Sequence, residues 1–183
     1  MTQFNEPSSD KKNYNHLSLD KTKHSVEVAR YMSENAERYG LNPQEMYVVG
    51  LLHDVGYLYG RENHEENGAN LLQYMGLENE YTDAIYLHGK SPYDLPYGEL
   101  SPTLRLLYEA DMSVDKFGKR VGFKGRLEDI GERYGKDSIA YKTASEVIRY
   151  LRDVSIEQTK QEYEIQHTFK EEYEEISEEE MDY

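Results

Sequence analysis

The chain sets an imidazole beside a carboxylate at the end of an apolar run, Leu51-Leu52-His53-Asp54-Val55-Gly56. Both side chains can donate to a divalent ion. One such dipeptide arises readily by chance and says little alone. Its weight comes from where the other donors fall. His24 heads a helical face completed by Val28, Tyr31 and Met32, and His53 follows Met46, Val49 and Gly50. His64 starts the face of Gly68, Leu71, Leu72 and Met75. His88 closes Tyr81, Ala84 and Ile85, while Asp111 closes Leu104, Leu107 and Tyr108. An unpaired carboxylate on a buried face is costly or takes up a proton. Imidazoles and carboxylates around one or two divalent ions satisfy each other. Singly, each histidine is more often a satisfied core residue; the joint occurrence points to metal. Only His16 and His167 fall outside the set, both in polar terminal stretches.

The elements that must position these groups are helical almost throughout. The spacing predicts helices from Lys21 to Tyr39, from Asn42-Pro43 to about Asp54, from Glu65 to Met75 and from Glu78 to His88. Ser101-Pro102 opens a fifth, running to about Phe117, and Asp137 or Ser138 opens a long one through Leu151. Glycines 118, 122 and 125 interrupt the stretch between the last two. No strand signal is convincing. The fold expected is all-α, with a polar segment at 1–15, one domain at 16–152 and an acidic helix or tail at 153–183. Within that tail Ile165, Phe169, Tyr173 and Ile176 keep helical spacing.

Composition narrows the chemistry. The 183 residues contain no Cys, so disulfides and thiolate metal sites are excluded and any ligands are His, Asp or Glu. No apolar run approaches the ~18 residues of a membrane span, and Met1 to Lys12 lacks a hydrophobic signal segment. A cytoplasmic protein is expected. A net charge of −15 argues against general nucleic-acid binding. Much of that charge lies after Leu151, where Asp153 to Tyr183 carry 12 acids and 2 Lys. Lys116 to Leu127 runs the other way, with Lys116, Lys119, Arg120, Lys124 and Arg126 and no acid. It is either a solvated surface loop or a face for an anionic ligand. Lys90, two residues past His88, is a further candidate for a phosphate. The loop from Lys90 to Gly98, with Tyr93 and Tyr97, either stacks a base or packs.

The order His24, His53-Asp54, Asp111 resembles the HD-domain superfamily of metal-dependent phosphohydrolases. His53-Asp54-Val55-Gly56 stands close to that superfamily's HD-Ile-Gly form. His64-Glu65-Glu66-Asn67-Gly68-Ala69 and Ala84-Ile85-Tyr86-Leu87-His88-Gly89 resemble the two extra histidine motifs of its two-metal branch. The similarity runs from about Thr22 to Asp115. Within the branch the pattern is most similar to the symmetrical bis(5′-nucleosyl)-tetraphosphatases. That resemblance implies a helical bundle with metal ligands His24, His53, Asp54, His64, His88 and Asp111, with Asp54 bridging. It implies two divalent transition metals, iron favoured, although His and carboxylate donors equally suit Mn, Co, Ni or Zn. The link from Asp54 to His64 spans only nine intervening residues, shorter than in those tetraphosphatases.

The function expected is hydrolysis of a phosphoester or phosphoanhydride in a small nucleotide-like substrate by metal-activated hydroxide, centred on His53 and Asp54. Lys90, Lys119, Arg120, Lys124 and Arg126 are the cations available to hold its phosphates. Two alternatives share these residues: a di-iron HD-domain oxygenase, and a non-catalytic HD module using the acidic tail for contact. Oligomeric state is not legible.

Overall fold

The computed structural model describes residues 19–60, 62–95 and 100–155. Helix α1 spans Leu19–Asn35 and runs into a 3-10 turn at Ala36–Tyr39, which Gly40 ends in the left-handed region at φ 68°. Helix α2 spans Pro43–Leu52; the Asn42 side chain accepts from the Gln44 and Glu45 amides, and Pro43 takes the first turn. A 3-10 turn at Val55–Tyr59 leads to α3 at His64–Tyr74 and α4 at Asn79–Leu87. Ser101 caps α5, Pro102–Asp111, through the Leu104 amide. Helix α6 spans Gly122–Tyr134, and a seventh helix, α7, covers 139–155. The described residues contain no strand beyond one antiparallel bridge between Val114 and Arg120. The expected all-α bundle is therefore the observed one.

Two apolar clusters meet at α5. Leu106, Leu107 and Ala110 join Val28, Met32, Met46, Val49, Leu72 and Ile85 on one side. Leu104, Tyr108 and Met112 join Ile130, Ala144, Val147, Ile148 and Leu151 on the other. The first cluster carries α1 to α4 and hence the histidines. The second braces α5 from behind with α6 and α7.

Two boundaries differ from the spacing. Helix α5 stops at Asp111, not near Phe117, because the chain turns so that the Ser113 carbonyl accepts from the Val121 and Gly122 amides. The basic segment is no simple loop. Gly118 sits at positive φ in a turn and Gly122 opens α6 at positive φ, while Gly125 lies inside α6. The polar N-terminal segment, Tyr97 and the tail positions Ile165, Phe169, Tyr173 and Ile176 lie outside the described residues.

Candidate metal centre

The four described histidines are oriented by the same device. Nδ1 of His24 lies 3.0 Å from the Asp115 carbonyl oxygen, that of His53 2.7 Å from Gly50, and that of His88 2.6 Å from Ile85. Nδ1 of His64 lies 3.1 Å from Glu65 Oε2. With Nδ1 donating, Nε2 keeps its lone pair and is turned to the interior, the tautomer a metal ligand needs.

The four Nε2 atoms converge on two carboxylates. His53, His64 and His88 stand 3.7, 3.5 and 3.7 Å from Asp54 Oδ1. His24 stands 2.9 Å from Asp111 Oδ1. Two sets of donor atoms lie within 4.8 Å of one another: His24, His53 and Asp111, and His53, Asp54 and His88. The gaps around Asp54 are too long for good hydrogen bonds. They suit donors sharing an ion, since ligands about 2.1 Å from one metal lie roughly 3 to 3.5 Å apart. His53 is the hub, its ring centroid 5.5 Å from His24 and 5.3 Å from His88.

Close backbone contact sets the Asp54 side. A Cβ on Gly56 would overlap the His64 carbonyl and the Gly68 amide, so only glycine lets the 55–59 turn press on α3 and bring His64 to Asp54. A Cβ on Gly89 would likewise overlap the Glu65 carboxylate that orients His64. Asp111 is held differently. Arg126 from α6 donates to its Oδ1 at 2.8 Å and to Asp129 at 3.0 Å.

Protonation follows from burial and neighbours. Burial alone would raise Asp54, but His53, His88 and Lys21 hold it well below the carboxylate range. Asp111 is also depressed; there Arg126 and His24 outweigh burial. Burial pushes His53 down to about 4. Burial opposes charge on His88 too, but Asp54 and Asp111 raise it to about 9. Ionised carboxylates and a neutral His53 are the states in which these groups ligate, whereas His88 would have to give up the proton that Asp54 and Asp111 hold on it before it could ligate. The donor set therefore fits divalent metals.

The cations read from the sequence distribute otherwise. Arg126 reaches the cluster, but as the clamp on Asp111. Arg120 is bound to Glu27 and Glu34, both at 2.7 Å. Lys90 Nζ rests 3.8 Å from the Tyr86 ring centre, and Lys124 lines a separate cavity with Glu128. Among the described residues no hydrogen bond or ion pair joins Lys90, Lys119, Arg120 or Lys124 to the donor cluster. Charge along the chain does not reveal which carboxylates face it across helices. Three contributors went unread: Glu65, Lys21 and Tyr57. Lys21 Nζ lies 3.5 Å from Asp54 Oδ2 and 3.0 Å from the Tyr57 ring centre, and Tyr57 stacks on His64 at 3.9 Å. Lys21's place one turn before His24 was the available signal.

An all-helical bundle whose inward faces end in four imidazoles and two carboxylates defines a candidate metal centre between helices. Residues 22–113 match the HD domain, and the chain belongs to that family. HD domains bind divalent metals and are generally metal-dependent hydrolases. No curated protein and no solved structure matched the chain.

Proposed function

We propose that the protein is a phosphohydrolase cleaving a phosphoester or phosphoanhydride bond in a small nucleotide-like substrate. The observation that carries this reading is the convergence of four oriented Nε2 atoms on Asp54 and Asp111. His24, His53, Asp54 and Asp111 would hold one ion, and Asp54, His64 and His88 a second, with Asp54 shared. When bound, such ions supply hydroxide near neutral pH and positive charge for phosphoryl oxygens. The chain's own part is preorganisation. Gly50, Glu65, Ile85 and Asp115 fix the imidazoles; Arg126 fixes Asp111.

The test is a screen of nucleotides and dinucleoside polyphosphates with Fe- and Mn-loaded protein, measuring phosphate release and oxygen uptake together. Hydrolysis without oxygen consumption supports the reading. Oxygen uptake coupled to substrate loss overturns it in favour of an oxygenase. A purified protein that takes up less than about one metal per chain overturns metal catalysis altogether.

A further inference from the structure

Among the described residues, no hydrogen bond or ion pair joins a cation of the basic segment other than Arg126 to the donor cluster. Of those cations Arg120 and Arg126 are engaged with carboxylates. The ammonium that does stand at the donor cluster is Lys21, whose side chain is 33% accessible against 10% for Asp54. It stands 3.5 Å from Asp54 Oδ2, whereas the three imidazoles are paired with Oδ1. Nζ sits 3.0 Å from the Tyr57 ring centre, and that ring stacks on His64 at 3.9 Å with 22° between planes. Lys21, Tyr57 and His64 thus form three layers along one edge of the cluster.

We propose that Lys21 is a substrate-binding residue that takes an unesterified phosphoryl oxygen at the mouth of the metal centre, with Tyr57 as the platform that holds it. This rests on the phosphohydrolase reading above. A lysine suits the task because it offers a compact charge with three rotatable donors. The competing role is structural: Lys21 would only neutralise Asp54.

The experiment uses the full chain loaded with Mn and inorganic phosphate as the probe. Phosphate affinity is measured by calorimetry for the wild type, Lys21→Met and Lys21→Arg, alongside metal content and thermal midpoint. The expected result is phosphate binding roughly 10- to 100-fold weaker in Lys21→Met and largely restored in Lys21→Arg, with metal content unchanged. Unchanged phosphate affinity in Lys21→Met overturns the assignment, and so does a loss that tracks lost metal in both variants. A metal-loaded wild type that binds no phosphate and hydrolyses nothing overturns the phosphohydrolase reading itself. That outcome differs from the first two, in which the wild type still binds phosphate.

Discussion

Asp54 and Asp111 are the two carboxylates of one site, yet the protein holds them by opposite means. Asp54 sits in a turn between α2 and the 55–59 segment, ringed by three imidazole nitrogens at 3.5 to 3.7 Å. Asp111 ends α5 and is gripped at 2.8 Å by Arg126, a permanently charged side chain buried against it. The Asp54 side is arranged for groups that an ion can join. On the Asp111 side a cation in direct hydrogen-bond contact supplies much of the compensation, whereas the Asp54 side has only the more distant Lys21 at 3.5 Å. The difference predicts that the Asp54 side depends on metal for its stability and the Asp111 side on α6.

The largest effect should come from the residue common to both sides. His53→Ala removes the one imidazole found in both donor sets, and metal affinity should fall by more than about 100-fold, read by competition with a chelating dye. Undiminished metal stoichiometry in this variant would mean that the two sides do not share a hub. Next is Arg126→Ala, which leaves Asp111 buried beside His24 alone. Unfolding free energy from urea titration should drop by about 3 to 5 kcal/mol, with metal still bound by His53, Asp54 and His88. A loss below about 1 kcal/mol would put Asp111 on the same footing as Asp54 and erase the contrast.

Gly56→Ala attacks the other side. The added methyl meets the backbone of His64 and Gly68, not a flexible side chain, so the turn and α3 must separate. A loss of about 2 kcal/mol is expected, with weakened metal binding and an undisturbed Arg126 clamp. Chelator added to both variants sharpens the comparison: it should lower the thermal midpoint of Arg126→Ala strongly and that of Gly56→Ala little.

The legible part of this molecule was periodic. Apolar residues at helical spacing gave α1 to α4 to within a few residues, and the start of α5, because burial of one face decides where such helices lie. The six donors stood out because each closes or opens an inward face, where a polar group needs a partner. What stayed hidden depends on contacts between distant segments. Arg126 looks like one of five cations in a row, and only the packing of α6 behind α5 shows it turned onto Asp111 and Asp129. Helix α6 itself was obscured by Gly122, Gly125 and Gly131, whose low helix propensity masks a segment held by Ile130 and Arg126 on its buried face. The α5 stop at Asp111 is set by amides of Val121 and Gly122, ten residues on. Glu65 as the orienter of His64 requires Gly89 to leave room for it.

The smallest predicted effect concerns the ring beside His64. Tyr57 stacks nearly parallel on that imidazole, and an aromatic pair of this kind adds roughly 0.5 to 1.5 kcal/mol beyond its buried area. Tyr57→Leu keeps most of the apolar surface and removes the stack. If the imidazoles on the Asp54 side are held chiefly by Nδ1 hydrogen bonds and by the ions they bind, the metal-loaded variant should lose about 1 kcal/mol or less. Its metal-free form should lose more, because His64 then relies on Glu65 and the ring alone. Equal losses in both forms would show that the ring, not the ion, orders this side. The two carboxylates would then differ only in the identity of the clamp.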